Sequence, residues 1–378
     1  MRSFRHTRSE EGQSLIFIAL ALLGLMAFLG LAVDGGNIYL QRRNVQNAAD
    51  GAALAGAVVM AQNRNIGVTE AALCGAVQDY AVSRHLSDLN LLEIYYTPTS
   101  KRVTCSVLPV PPPPAVNGIR VVTGRNFSSL ISQVIGQNEF TVRATATAQF
   151  GPAKAALGTQ PIAVHKSVVP PASQRNNPLN EFHIWTDDKG TPGVGDITGA
   201  GRGWIDLDCN YPAKCNHSED DIKEWMKNTY QQPIATKYEL QSAPGVKAAS
   251  LKDPYVSEGK TLILPVYDYV RSFTSDPLCD SRPENHQENG GEYDPGWQWD
   301  QCHDNPAYGD VYVDTYTDDP RMVGSYYYHI ISFAAFYVTG TTTQGSNKSI
   351  DGYFVDYIAE GDLGGPYDTG VTVIKMTQ

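Results

Sequence analysis

Charged side chains are scarce in this sequence, and positive ones are the scarcer kind. Lys and Arg number 29 against 40 Asp and Glu, so the formal net charge is −11, and charged residues make up only 18% of the chain. A nucleic-acid-binding protein needs a basic face, so this balance argues against a nucleic-acid partner. Gly, Pro and Tyr are plentiful, at 34, 23 and 21 residues. That mixture is typical of an extracellular, turn-rich β protein.

The sequence also lacks the short strings that carry catalysis in common enzyme families. It contains no His-Glu-x-x-His zinc motif, no Gly-x-Ser-x-Gly nucleophile turn and no phosphate-binding loop. Asp206, Asp208 and Asn210 begin like a calcium-binding loop, but the sixth and twelfth positions hold Tyr211 and His217 rather than Gly and Glu. We therefore expect a protein that is not an enzyme and that has no catalytic, cofactor-binding or metal-binding residues.

Cysteine is absent from the first part of the chain, and Cys74 is the first of six. An even number of cysteines in an exported region is consistent with disulfides. We expect Cys209 to pair with Cys215 and Cys279 to pair with Cys302, because each pair lies within one short loop. The histidines near the last pair have an irregular spacing that does not fit a zinc site.

The long hydrophobic run Leu15–Val33 carries no charge. At helical rise it is roughly 28 Å long, which is enough to cross the hydrocarbon core of a membrane. A cleaved secretory signal is the alternative, but its apolar core is normally shorter, at about 7–15 residues. We predict a retained single-pass span with the N-terminus in the cytoplasm, because positive residues favour that side. The arginines that precede the run are Arg2, Arg5 and Arg8.

A second helix and a hairpin are predicted after the long helix. Thr69 is suited to cap a helix that runs to about His85. The segment "LLEIYYTPTSKRVTCSVLP" alternates apolar and polar residues on both sides of a turn and predicts a β-hairpin. Cys74 on the helix and Cys105 on the hairpin could form a disulfide between these elements, and a pair of buried free thiols is the alternative.

The segment after the apolar run consists almost entirely of small residues. On a helix, residues four apart lie along one ridge, and small residues at this spacing allow two helix backbones to approach closely. The alternative is that alanine serves only its high helix propensity. We predict a face that packs against another helix. Its ridges consist of Ala48, Ala52 and Gly56, and of Ala49 and Ala53.

The N-terminal sequence "EEGQSLIFIALALLGLMAFLGLAVDGGNIYLQRRNVQNAADGAALAGA" resembles the Tad family, the TadE/TadG-like Flp pilus-assembly proteins. The resemblance implies a surface protein that is anchored in the cell membrane and associated with a tight-adherence pilus. It also implies that pilus or pseudopilin subunits bind through the N-terminal helix. The residues that carry it are Gly12, Asp34, Tyr39, Arg42, Arg43 and the run from Gln46 to Leu54.

The sequence departs from the family pattern at two points. Relatives that are cut by a prepilin peptidase carry Glu five residues after the cleavage Gly, and counting from Gly12 that position holds Phe17. The larger TadG relatives carry a von Willebrand A domain with an Asp-x-Ser-x-Ser metal motif, and no such string occurs here. The resemblance therefore implies the anchor and the pilus association without implying the metal site.

Together these patterns predict an α+β fold with a pilin-like N-terminal helix, a small α+β head and a β-rich domain of sandwich or barrel type with one helix. Two function classes remain. One is a structural or assembly component of a surface pilus, and the other is a membrane-tethered extracellular binding protein or enzyme. The predicted segments are a cytoplasmic N-terminus (1–12), a transmembrane and helical stem (13–62), the head (63–150), a linker (151–180) and the extracellular β-rich domain (181–378).

Overall fold

The computed structural model describes residues 11–63, 67–105, 115–185, 196–197, 202–210, 219–243, 256–272, 311–313, 326–342 and 348–377. The chain divides into two compact units. The first unit contains Met1–Val59, Val68–Gln149 and Met376–Gln378, and the second contains Met60–Gly67 and Phe150–Lys375. The combination of a long N-terminal helix with a strand-rich part confirms the predicted α+β class.

Two helices belong mainly to the first unit. Helix α1 (Glu11–Gln62) is continuous, since no proline interrupts it. Helix α2 (Glu70–Gln78) begins after Thr69, whose hydroxyl accepts a hydrogen bond of 3.2 Å from the backbone N–H of Ala72. This bond satisfies one of the free N–H groups at the helix start, and the predicted cap is confirmed. The chain then continues as a π-helical segment, Asp79–Arg84.

The first unit also contains an antiparallel sheet of β1 (Glu93–Thr97), β2 (Gly118–Ser128) and the first part of β3 (Glu139–Ala156). Alternate residues of each strand are buried, as expected for a sheet with one covered face. In β3 the buried set includes the alternate residues Val142, Ala144, Ala146 and Ala148.

Two local predictions in this unit hold only in part. The chain after β1 does fold back on it, since the N–H of Tyr96 donates to the carbonyl of Lys101 and the N–H of Val103 donates to that of Ile94, but the described return is short. The other edge of β1 pairs with β2 along its whole length. The segment "NFSSLISQVIG" favours a short helix that begins at Asn126, but β2 continues to Ser128 and a 3₁₀ helix, Ser132–Ile135, follows. Pairing of β2 with β3 satisfies backbone groups that the local pattern assigned to that helix.

The second unit is built mainly from strands. It contains helix α3 (Glu219–Asn228), in agreement with the helix predicted for the β-rich domain. The strands are β4 (Ile162–His165), β5 (Phe182–Trp185), β6 (Asp196–Ile197), β7 (Arg202–Asn210), β8 (Ile234–Ala235), β9 (Glu239–Ser242), β10 (Thr261–Ser272), β11 (Val311–Val313), β12 (Tyr326–Thr342), β13 (Ser349–Val355), β14 (Tyr357–Ala359), β15 (Gly361–Leu363) and β16 (Val371–Thr377).

The larger sheet closes on itself. Strand β10 pairs with β4, β4 with β7, β7 with β9, β9 with β12, and β12 again with β10. This ring is a small barrel, and β13, β5 and β6 extend the sheet from β12. Closure removes exposed strand edges along the ring. The sequence predicted a β-rich domain of either sandwich or barrel type, and the structure contains a barrel.

Two hydrophobic cores lie on opposite sides of the long β10–β12 pair. Successive residues of β10 alternate between them: Ile263 and Tyr267 belong to one core, and Leu262, Leu264 and Val266 to the other. Period-two alternation has this effect when both faces of a strand are covered. Helix α3 contributes Ile222 and Met226 to the second core. The helix thus covers a part of the sheet that would otherwise expose apolar side chains.

The segment predicted as a linker contains strands. Residues 151–180 contain the end of β3 and all of β4, and Ile162 and Val164 of β4 are buried in the second core. Their proline- and asparagine-rich surroundings suggested a break in structure, but β4 is held by pairing with β7 and β10. The segment boundaries stay predictions. The sequence also predicts a long surface loop at 273–310, where the residues are polar and rich in turn formers, and a helix cap at Ser218, and both lie outside the described residues.

Candidate functional site: the small-residue face of the long helix and the Asp34 clamp

The N-terminal part of α1 presents large apolar side chains to its surroundings. The large apolar side chains between Leu15 and Leu31 are exposed, with Phe17 at 67% and Phe28 at 76% of full exposure. By length and composition this helix is able to cross a membrane. Exposed apolar area of this extent marks an interaction with a membrane or another protein.

A buried stripe begins near the end of the apolar run and continues along the helix. From Val45 onward its members recur every three or four residues, some as adjacent pairs, and Gly30 and Asp34 lie on the same side of α1. The stripe is composed mainly of small side chains. It consists of Gly30, Asp34, Val45, Ala48, Ala49, Ala52, Ala53, Gly56 and Ala57.

The stripe is covered by the first unit itself. A Cβ atom added to Gly56 would lie 3.1 Å from Val77 and 3.3 Å from Leu73, both on α2, and 3.4 Å from Ile119 on β2. Ala48, Ala49, Ala52 and Ala53 are fully buried. Gly56 therefore faces a helix and a strand of its own chain, and the other predicted packing residues are buried along the same side of α1. Packing within the first unit is therefore sufficient to explain why these side chains are small.

Strand β2 runs antiparallel to α1 along this face. Ile119 lies against Gly56, the hydroxyl of Thr123 donates to the carbonyl of Val45 at 3.3 Å, and Arg125 donates to the Gln41 side chain at 3.1 Å. From residue 56 to residue 34 the helix advances about 33 Å. From residue 119 to residue 130 an extended chain advances about 36 Å. The two lengths agree, so β2 carries the chain along α1 to the level of Asp34.

Asp34 lies at one end of this face, where its carboxylate accepts hydrogen bonds from residues 130–132. We call this set of hydrogen bonds the Asp34 clamp. One carboxylate oxygen accepts the backbone N–H of Leu130 at 2.8 Å, and the other accepts the N–H of Ser132 at 2.6 Å and also the Ser132 hydroxyl. The N–H of Ile131 lies 3.2 Å from the same carboxylate. Free N–H groups at the start of the 3₁₀ helix thereby receive a charged acceptor, which is the stronger class of hydrogen bond.

These hydrogen bonds hold Asp34 in its charged form. The Ser132 hydroxyl makes the largest contribution and the pKa falls from 3.8 to about 2, although burial of the carboxyl opposes the change and the backbone N–H groups add to it. Asp34 is only 3% exposed and directly follows the uncharged run. In the sequence, Asp34 was singled out only as one of the residues that carry the resemblance to the Tad family. A single carboxylate at the end of an apolar run was the signal that could have marked it, since a buried charge needs donors.

The start of α2 is tied to the sheet by a second buried carboxylate and a disulfide. Glu70 accepts the backbone N–H of Thr104 at 3.0 Å and its hydroxyl at 2.6 Å. The hydroxyl of Tyr96 also points to Glu70, and burial together with this negative charge raises the pKa of Tyr96 to about 12. Cys74 and Cys105 form a disulfide with their Cα atoms 5.6 Å apart. Of the two alternatives for these cysteines, the structure contains the bridge.

The other predicted disulfides involve residues beyond the described part of the chain. Cys209 is disulfide-bonded, whereas Cys215, Cys279 and Cys302 lie outside the described residues. The pairings of Cys209 with Cys215 and of Cys279 with Cys302 therefore stay predictions.

Sequence reasoning missed a buried ion cluster in the second unit. The side chain of Arg175 is 4% exposed, and its guanidinium lies 3.0 Å from Asp356 and 3.5 Å from Asp368. It also donates to the backbone oxygens of Asp368 at 2.9 Å and Pro170 at 3.2 Å. Arg175 lies in the predicted linker, where nothing in the local pattern distinguishes it from a solvated arginine.

A polar network on the barrel strands involves Asp268 and His329. The His329 ring nitrogen is 2.7 Å from the Asp268 carboxylate, the Tyr269 ring stacks on His329 at 4.5 Å, and the Tyr269 hydroxyl donates to Glu239 at 3.0 Å. These contacts join β9, β10 and β12. Within the described ranges, no group of three or more His, Cys, Asp or Glu side chains is arranged to hold a metal ion.

Comparison with known proteins gives one match. Residues 12–61 match the Tad family model, described as "Putative Flp pilus-assembly TadE/G-like". No curated protein and no solved structure matches the chain. The matched segment covers much less than half of the sequence, but it contains the apolar run, Asp34 and the small-residue stripe. The similarity to the Tad family is therefore confined to residues 12–61, and the family model covers neither the predicted head nor the β-rich unit.

Proposed function

We propose that this protein is a membrane-anchored structural or assembly component of a tight-adherence (Flp/Tad-type) surface pilus, and that it displays its β-rich unit outside the cell. The observation that carries the proposal is the coincidence of the Tad match with the exposed apolar part of α1. The same segment is both the region of family similarity and the only described helix able to cross a membrane.

Two features support export of the chain beyond the apolar run. The Cys74–Cys105 disulfide belongs in an oxidising compartment. The arginines Arg2, Arg5 and Arg8 precede the run, and positive residues favour the cytoplasmic side. We accordingly place the N-terminus in the cytoplasm and the chain beyond the apolar run outside.

The partner-binding surface in this proposal is the outward face of α1 beyond the run. The stripe that contains Ala52 is already occupied by the head, so it is not free to bind another subunit. On the opposite side Leu40, Arg43, Asn47 and Leu54 are exposed at helical spacing. This face combines apolar, cationic and amide groups, and we propose that pilus or pseudopilin subunits bind there.

Site-specific photo-crosslinking in cells that assemble the pilus tests the proposal. A photoreactive residue at Asn47 should yield adducts that contain other pilus subunits. The matched control places the same residue at Thr99, which is exposed at the far end of the β1–β2 sheet. Thr99 adducts should lack those subunits.

The outcome that overturns the proposal is equally specific. If the protein reaches the membrane but no position on α1 captures a pilus subunit, the alternative function holds. The chain would then be a membrane-tethered extracellular binding protein or enzyme that uses a pilin-like anchor.

A further inference from the structure

The loop that follows β2 exposes two large apolar residues at one end of the first unit. Leu130 is 56% exposed and Ile131 is 38% exposed, although most apolar side chains of the neighbouring strands are buried. Both residues precede the 3₁₀ helix Ser132–Ile135. Their backbone N–H groups are held by Asp34. The loop is thus fixed in place while its apolar side chains remain uncovered.

The contact between Ile131 and α1 indicates what covers the side chains of Leu130 and Ile131. A Cβ atom added to Gly30 would lie 2.7 Å from Cγ2 of Ile131, so Ile131 packs directly on Gly30. Gly30 is inside the uncharged run and three residues before its end at Val33. At helical rise this corresponds to a depth of roughly 5 Å. A bilayer that accommodates the run to Val33 therefore also surrounds Ile131.

The backbone N–H groups of the loop have hydrogen-bond partners within the protein, as a segment close to the hydrocarbon of a membrane needs. Non-helical backbone is tolerated near hydrocarbon only where its N–H and C=O groups have partners. The Asp34 carboxylate accepts the N–H groups of residues 130–132. The N–H of Ser129 donates to Asn138, and its hydroxyl donates to Gln137. These bonds satisfy the N–H groups of residues 129–132 without water.

We infer that the loop at Leu130 and Ile131 inserts into the outer leaflet of the membrane in which α1 is anchored. The occupant of this apolar surface is lipid. Insertion at a second point beside α1 restricts rotation of the head about the helix axis, so the outward face of α1 has a defined orientation at the membrane surface. This inference rests on the membrane anchoring in the proposed function and adds a lipid contact by the head.

Depth-dependent fluorescence quenching tests the insertion. The full chain, carrying Leu130→Cys labelled with an environment-sensitive dye, is reconstituted in phosphatidylcholine–phosphatidylglycerol vesicles that contain brominated lipids. We expect blue-shifted emission that is quenched by bromines near the headgroups. Thr99→Cys is the matched exposed control, because β2 separates it from the loop by about 33 Å. Its dye should show neither effect. The unsubstituted chain measures background labelling.

A third label separates the two proposals. Leu23→Cys lies in the middle of the apolar run and should be quenched by bromines deep in the bilayer. Quenching at residue 23 with none at residue 130 would overturn the loop insertion and leave the anchor intact. Absence of quenching at residue 23 would overturn the membrane anchoring and the insertion together. Circular dichroism of each labelled protein checks that its fold is retained.

Discussion

At the scale of single residues, Asp34 connects the long helix with the head. Asp34→Asn keeps the shape of the side chain and removes its charge, so the hydrogen bonds from residues 130–132 become weaker. We expect a lower unfolding temperature for the variant at neutral pH. Asp50→Asn is the control, since Asp50 lies on the same helix and accepts a hydrogen bond from the exposed Gln46 side chain. It should leave the unfolding temperature unchanged.

The contribution of Asp34 should depend on pH. Its pKa is about 2 in the folded protein against an ordinary value of 3.8, so the unfolded state binds a proton more readily. The stabilisation is complete above the ordinary pKa and is lost as the pH falls through about 2. Thermal unfolding should therefore separate wild type from Asp34→Asn at neutral pH and show convergence near pH 2. A difference that is constant with pH would contradict the charged clamp.

A second residue-scale prediction concerns Arg175. Arg175→Ala leaves Asp356 and Asp368 without their buried cation, which should lower the free energy of unfolding by roughly 3–5 kcal/mol. The exposed pair Lys375–Asp362 in the same unit is the control, and Lys375→Ala should change this free energy by less than about 1 kcal/mol. Denaturant titration of the full chain measures both. Equal effects would mean that the buried cluster contributes no more than a surface pair.

At the scale of the elements, the small-residue stripe holds α1 against α2 and β2. Ala52→Leu adds volume to a filled space, so it should cost the head roughly 1–3 kcal/mol of folding free energy. The sequence predicts that this ridge packs against another helix. Because Gly56 of the ridge lies against α2 of the same chain, we expect the substitution to lower the stability of the fold and not only the association with a partner.

Asn47→Leu is the matched test of that expectation. It adds an apolar side chain of the same type on the exposed side of the same helix. Its unfolding free energy should stay close to wild type, whereas capture of pilus subunits should change. If Ala52→Leu folded as well as Asn47→Leu and lost only its partners, the buried stripe would be an interface between subunits after all.

At the scale of the whole molecule, the proposal requires one orientation in the membrane. A phosphatase fused after Gln378 should be active outside the cytoplasm, and a tag placed before the apolar run should resist external protease. Deletion of Leu15–Val33 is the control, and it should abolish phosphatase activity by leaving the fusion in the cytoplasm. Protease-sensitive tags together with inactive fusions would indicate the opposite orientation and would exclude a surface role.

The sequence by itself determined the features that depend on local composition. The uncharged run is a continuous helix because nothing in it breaks helical hydrogen bonding, and Thr69 caps α2 because a hydroxyl before a helical segment finds a free N–H. The strands β10 and β12 were predictable because their β-branched and aromatic residues occur in long runs. The Tad segment was recognisable because its signature is contiguous.

Only the tertiary structure decided which partner each segment meets. Small residues at helical spacing permit close packing, but they do not say whether the neighbouring helix belongs to the same chain, and here α2 and β2 occupy the site. The same applies to Arg175, whose acidic partners lie far along the sequence, and to β4, whose neighbours β7 and β10 close the barrel. Contacts between distant residues depend on how the whole chain folds, and no short stretch of sequence contains that information.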